Sequence, residues 1–327
     1  MALKTRLVKF LPQPVKSFAK WSLSSVRWMR YRFLQDPAVE IYSLRQDAVN
    51  GQFFQLVQQQ KAAGFEAWMV PYHTRLIPKI IWIFWSQGEE NFPPIVRSCV
   101  EQCRRLHPDW TINVIDKKSA ESLVDMTDVP DQFELRIYAD ALRVRLLAAF
   151  GGVWADSTVY LHIPLGSWLP FLASTGFFVF TDDGPGREVE NWFIASAPGN
   201  ALVKAWDKAF RRHLARTDRT HEAYFHVYYV FQHAISRNAD LLAAWKVMPR
   251  VPAPPCFLLR SHLEGYTPEN AVHDALSNGL PLSKLDWRMP VSPEVVEQTA
   301  ARLGSECASQ GTASAIGHTA LRPRASP

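Results

Sequence analysis

Three charged residues, Arg136, Asp140 and Arg143, follow one another at intervals of four and three in an otherwise apolar stretch. On a helix that spacing puts all three on one face. Ile137, Ala141, Leu142, Val144, Leu146, Leu147, Ala148 and Phe150 are spread around the same helix, which is therefore expected to be buried. Buried charge must be paired or must meet a ligand. Spacing alone leaves two readings open: an internal ion pair between Asp140 and one of the arginines, or a polar ligand site. The next segment, Gly151-Gly152-Val153-Trp154-Ala155-Asp156-Ser157-Thr158, favours the second. A glycine pair lets the backbone turn sharply and approach a ligand, and the strand after it delivers Asp156 at its end. A carboxylate in that position is a natural ligand for a hard divalent cation that bridges phosphates.

The elements that must position these residues read as an α/β fold. From residue 76 onward strand and helix patterns alternate, as in a sheet covered by helices. Strands are expected at 79–84, 110–115, 153–161, 176–181 and 192–195. Helices are expected from the Pro93-Pro94 start to His107, over 133–150 with a stop at Gly151-Gly152, and over 201–214 and 222–236 in a mainly helical C-terminal part. From 157 to 181 the chain carries no Asp, Glu, Lys or Arg before Asp182. Pro164, Gly166, Pro170 and Gly176 argue against a membrane span there and for buried strands joined by a loop. Four parts follow: a basic amphipathic arm over 1–35, a helical lead-in over 36–75, a main domain over 76–291, and a low-complexity tail over 292–327 that is expected to be mobile.

Composition narrows the function classes. With 47% hydrophobic and 20% charged residues the chain is of globular type. Cys99, Cys103, Cys256 and Cys307 are too few and too irregular for a disulfide framework, and Cys99 and Cys103 have no second pair at zinc-site spacing. A cytoplasmic location is expected. The formal charge of +5 is concentrated in the arm, which holds Lys4, Arg6, Lys9, Lys16, Lys20, Arg27, Arg30 and Arg32 and no acid. Beside them Val15, Phe18, Ala19, Val26, Met29 and Phe33 share a helical face, the pattern of a helix lying on an anionic membrane. Packing of that helix on the protein's own body is the alternative. No nucleic-acid-binding motif accompanies the charge, so no nucleic-acid partner is expected.

Asp140-Ala-Leu-Arg143, followed by Leu146-Leu147-Ala-Ala-Phe-Gly151-Gly152-Val-Trp-Ala-Asp156-Ser-Thr-Val-Tyr160, resembles the core motif of bacterial capsular polysaccharide synthesis glycosyltransferases. These are similar in turn to the DxD sugar transferases, which include the fungal outer-chain mannosyltransferases and the catalytic domains of clostridial glucosylating toxins. The likeness extends to 81–88 with Pro94-Ile95-Val96 and Cys99, to 190–195, to Tyr224-Phe225 and to Lys284-Leu285, and so covers roughly 77 to 288. It implies a GT-A fold, a nucleotide-sugar-binding Rossmann-type mixed sheet flanked by helices. It also implies retaining transfer from a nucleotide sugar, with UDP as carrier, to a hydroxyl of a glycan or glycolipid acceptor. Carried over by residue, it implies that Asp140 binds donor-sugar hydroxyls, Arg143 reaches sugar and diphosphate, and Asp156 is the first acid of DxD and holds manganese or magnesium. Trp85 is expected beside the base or in the core; Asn191 in the sugar pocket or capping local backbone. Gly152 is expected to lie against the ligand, and Lys284 to assist the leaving diphosphate. Thr158 stands where DxD has its second acid, and Ser283 where the capsular family tends to have His, so metal dependence stays open. Two rivals remain: a non-catalytic sugar-nucleotide-binding relative, and a membrane-associated scaffold whose Asp140 is a core ion pair.

Overall fold

The computed structural model describes residues 77–314 apart from 130, 132, 182–187 and 216–225, with side chains described to residue 304. Among these residues a five-stranded mixed sheet forms the centre. Its strands are β1 (Ile80–Phe84), β2 (Thr111–Ile115), β3 (Gly152–Ala155), β5 (Phe177–Val179) and β6 (Phe193–Ser196), in the order β2-β1-β3-β6-β5. β2, β1 and β3 run parallel, whereas β6 pairs antiparallel with both β3 and β5. A second, two-stranded antiparallel sheet joins β4 (Val159–Leu161) to β7 (Leu282–Lys284).

Residues alternate across the main sheet, as strand geometry requires. Trp82, Phe84, Trp154, Ile194, Phe177 and Val179 point into one core; Ile81, Ile83, Val153, Phe193, Ala195 and Phe178 point into another on the opposite face. The first core is closed by helices α3 (Leu135–Phe150), α5 (Ala201–Leu214) and α6 (His226–Ser236), with Trp245 of α7 (Ala239–Lys246). The second is covered by α1 (Pro94–Leu106) and the single turn α4 (Leu169–Leu172). A short helix α2 (Lys117–Leu123), capped by Asp116 accepting from the Ser119 N–H at 2.7 Å, links β2 towards α3. No described helix is long and apolar enough to cross a membrane.

The strand and helix readings hold where they rest on strong periodicity. α1 starts at the Pro93-Pro94 pair and ends before Pro108, and α5 spans the expected 201–214. α3 is buried along Ile137, Ala141, Leu142, Val144, Leu146 and Leu147, and each of the Ile, Leu and Val side chains contributes about 1.5–3 kcal/mol by its full removal from water. The expected strand over 153–161 is two strands, because the chain turns at Asp156, whose carbonyl accepts the Val159 N–H at 2.9 Å. The stretch 157–181 holds β4, α4 and β5.

The reading of 292–327 as a mobile tail is corrected over 293–314, while 315–327 lie outside the described residues. Residues Pro293–Ser314 form helix α10, and Val296, Ala300 and Leu303 are buried against Ile95, Cys99, Tyr160, Leu259, Leu285 and Met289 in a third core. Two further helices, α8 (Leu258–Leu263) and α9 (Glu269–Ser277), contribute Leu259 and Val272 to it. The arm over 1–35, the lead-in over 36–75 and the Tyr224-Phe225 pair lie outside the described residues.

Candidate functional site

The α3 charges form one connected group. Asp140 is 2% exposed, and its Oδ1 lies 3.3 Å from Arg143 Nη2 while its Oδ2 lies 4.0 Å from Arg136 Nη1. Asn191 Nδ2 donates to the same Oδ1 at 2.9 Å, and Tyr228 Oη donates to Asn191 Oδ1 at 2.9 Å. Burial pushes the Asp140 carboxyl up to about 6, against Arg143 and Arg136, which favour its charged form. Arg143 is fixed on all sides. Its Nε donates to Ala139 O at 3.1 Å, its Nη1 to Asn191 O at 2.7 Å, and its guanidinium lies 5.1 Å from the Trp154 ring centre.

From Arg143 the group continues outward. Asp156 Oδ1 lies 3.7 Å from Arg143 Nη2 and accepts from Trp154 Nε1 at 2.9 Å, while Oδ2 faces Lys284 Nζ at 3.8 Å. Lys284 Nζ donates to Thr158 Oγ1 at 2.6 Å and to Leu285 O at 3.2 Å. The β4–β7 pairing sets this contact, since it aligns Lys284 with Val159 and lets the Leu285 N–H bond to Thr158 O at 2.9 Å.

Asp156, Thr158, Asn191 and Lys284 line a cleft of about 610 Å³. Its walls also carry Glu190, Tyr228, Arg260, Asp286, Trp287 and Arg288, to which the sequence reading gave no role. The signal for the last three was the run Lys284-Leu285-Asp286-Trp287-Arg288, charged and aromatic residues directly after a short strand. A cleft of this size, lined mainly by charged and polar side chains beside the Trp287 ring, suits a small polar ligand.

The remaining expected residues are placed otherwise. Asp140 and Arg143 do not line the cleft; they stand behind it and hold Asn191 and Asp156, so the internal ion pair is present. Trp85, just past β1, is edge-on to Trp287 with ring centres 6.1 Å apart and to Phe92 at 6.3 Å, so it backs the cleft's exposed tryptophan rather than lining the wall. Gly152, expected against a ligand, is corrected. At φ 92° its bare Cα faces the neighbouring strand, where a Cβ would come within 2.7 Å of Ile80 O. Gly151, at φ 67°, ends α3 and leaves its carbonyl to accept from Trp82 Nε1 at 2.9 Å. Cys99 and Cys103 are buried and burial pushes both thiols up to about 12, which makes them core residues rather than ligands.

A divalent cation is the group the fold resemblance implies here. Hard cations need several oxygen ligands. Asp286 is already engaged, with one oxygen accepting the Arg288 N–H at 2.9 Å and the other 3.4 Å from Arg260 Nη2. Glu190 Oε2 lies 3.4 Å from Tyr228 Oη, whose shorter hydrogen bond goes to Asn191. Among the described residues no three His, Cys, Asp or Glu side chains gather closely enough to hold a metal ion. The donor set at Asp156 does not fit one.

The sequence profile of the capsular polysaccharide synthesis proteins matches residues 39–300, most of the chain. The chain belongs to that family. Curated relatives extend the family's likeness to fungal enzymes. The chain is 30% identical over 171 residues to the O-glycosyltransferase braB of Annulohypoxylon truncatum, covering 45% of this chain and 40% of that protein. It is 27% identical over 163 residues to the glycosyltransferase afumC of Aspergillus fumigatus, covering 40% of this chain and 39% of that one. The chain thus spans about 40% of the length of the curated relatives it matches. A solved structure, PaToxG glycosyltransferase, aligns with 79% of this chain and 97% of its own at 14% identity and a TM-score of 0.35.

Proposed function

We propose that this capsular polysaccharide synthesis protein is a glycosyltransferase that moves a sugar from a UDP-linked donor to a hydroxyl of a glycan or glycolipid acceptor, with retention of configuration, in surface polysaccharide synthesis. The observation that carries the reading is the Asp156–Lys284 pair at the edge of a cleft whose other cations are Arg260 and Arg288. The glycosyltransferase names of the matched relatives support it.

Departure of a diphosphate from a sugar concentrates negative charge on the leaving group while positive charge grows on the anomeric carbon. Fixed cations aimed at the leaving group lower that barrier most, because they are oriented before the reaction begins. Lys284 is positioned for this by the β4–β7 ladder. Asn191 and Tyr228, already hydrogen-bonded to each other, present amide and phenol groups to sugar hydroxyls. Trp287, 42% exposed and braced by Trp85, offers a face to a nucleobase. Asp140 and Arg143 act from behind by fixing Asn191 and Asp156. The basic arm over 1–35 is read as holding the protein peripherally on an anionic, cytoplasm-facing membrane surface.

The test is a screen of nucleotide sugars with the purified chain, following release of free nucleotide. Release from one donor class, lost in Asp156→Asn, is the expected result. Tight binding of donors without any release, with or without glycan and glycolipid acceptors, would favour the non-catalytic relative.

A further inference from the structure

The arrangement around Asp156 says how the leaving diphosphate is neutralised. Three cations and two carboxylates alternate there: Arg136, Asp140, Arg143, Asp156 and Lys284, each within 4.0 Å of the next. These five charges sum to +1, and Glu134, 2.8 Å from Arg136 at the far end, balances the group before any ligand enters. An added divalent cation would have to sit among ammonium and guanidinium groups and take oxygens those groups already use. The position that would supply a second anionic ligand is filled by Thr158, which is 4% exposed and whose hydroxyl accepts from Lys284 Nζ.

Resting on the donor reading above, we propose that the Lys284 ammonium takes the place of a divalent cation at the leaving diphosphate, so that this chain binds and activates its donor without metal. The geometry gives Lys284 what that role requires. Its neighbour Ser283 is fully buried, and Leu285 is 1% exposed, so the strand is anchored on both sides of the lysine. Two of its three N–H groups are held by Thr158 Oγ1 and Leu285 O. The third is left for a ligand oxygen, and Nζ lines the cleft with its side chain 17% exposed. Asp156 is then an orienting counter-charge rather than a metal ligand. It stands 3.8 Å from Nζ, close enough to orient the ammonium and too far to take its free N–H. Thr158 completes the exchange, since an acid at 158 would compete with phosphate for the ammonium.

Calorimetry with UDP, UMP and uridine tests this on the whole chain, in EDTA and again with manganese. The expected result is UDP binding in EDTA that manganese changes by less than about threefold, with UDP preferred over UMP by about tenfold or more, as a charge-assisted contact to the second phosphate implies. Lys284→Met, checked by melting temperature, should bring UDP affinity down to that of UMP. Lys284→Ala combined with Thr158→Asp should restore UDP binding only when manganese is present. Manganese tightening wild-type UDP binding by about tenfold or more would overturn the proposal while leaving the donor reading intact; this arm needs no variant to fold. A Lys284→Met protein that binds UDP like the wild type would overturn it as well. Failure of the wild type to bind UDP, GDP, ADP, CDP or dTDP in either condition would overturn the donor reading and this inference with it.

Discussion

At the scale of single residues, the site divides into groups that meet ligand and groups that hold them. Lys284 belongs to the first, and Asp156, 28% exposed at the cleft edge, orients it: the carboxylate faces Lys284 Nζ on one side and accepts from Trp154 Nε1 on the other. Asp156→Asn should therefore lower nucleotide release by about 100-fold or more, the usual loss when one preorganised electrostatic group is removed, with a melting temperature close to wild type. Turnover within a few-fold of wild type in a folded variant would take Asp156 out of the site. Asp140 and Arg143 belong to the second kind, at 2% and 6% exposure. Removing one takes from the other, still buried, its nearest opposite charge and leaves only the longer contacts to Arg136 or Asp156, so Asp140→Leu or Arg143→Met should each cost up to about 3–5 kcal/mol, and the pair of changes together less than their sum. Chemical denaturation of the two single variants and the double variant reads this directly, and strict additivity would contradict the pairing. The residue types and spacing made Asp140, Arg143 and Asp156 legible in the sequence. They could not show that the first two stand behind the cleft wall, because that depends on Asn191 arriving from the bend just ahead of β6. Gly152 was misread for a similar reason: its need for glycine comes from Ile80 O, a contact set by strand pairing across 72 positions.

At the scale of elements, the second sheet was the hardest part to read and is the part that places Lys284. β7 has three residues, too few for alternation to announce a strand, and its partner β4 lies more than a hundred positions earlier. The long parallel-sheet strand β1 and helices α1, α3 and α5, by contrast, carry their periods and stop signals in full. A half-buried histidine reports on the small sheet. His162, just after β4, holds Ser283 Oγ at 2.8 Å, and burial brings its imidazole down to about 4 from 6.5. The folded value lies below the unfolded one, so the unfolded chain takes the proton first as pH falls. The associated stability is present above pH about 6.5 and is lost as pH drops towards 4. Asp140, raised to about 6, works in the opposite direction between its unfolded value and 6, because there the folded state holds the extra proton. The difference between wild type and His162→Gln isolates the histidine: the variant should lose less stability between pH 7 and 4.5, by about 1–3 kcal/mol. Parallel pH profiles for the two proteins, measured by urea denaturation, would mean that His162 titrates as it does in the unfolded chain.

At the scale of the whole molecule, the two ends of the sequence make different demands. The arm over 1–35 lies outside the described residues, and its reading rests on charge pattern alone. Deleting it should leave nucleotide release in solution nearly unchanged while reducing sedimentation with phosphatidylserine vesicles, and the lost binding should be the part that salt weakens. Vesicle binding that survives the deletion would put the contact elsewhere. The other end was misjudged because small and polar residues, Ala, Ser and Glu the commonest, hide a sparse apolar stripe over 293–314. Val296, Ala300 and Leu303 are spaced by four and three, and that stripe closes the third core over Ile95 and Cys99 of α1, Tyr160 of β4 and Leu285 beside β7. The same core thus backs the strand that carries Lys284, and Ser98 of α1 ties α10 down by donating to Glu297 at 2.7 Å. A tail without structure could be removed at no cost. Truncation after Ser292 should instead expose three buried side chains and the surface they cover, lowering stability by several kcal/mol at about 1.5–3 kcal/mol per fully buried aliphatic side chain. It should also weaken UDP binding relative to a chain truncated after Ser314, since β7 loses its backing. Equal melting temperatures for the two truncations would mean that α10 adds nothing to the fold.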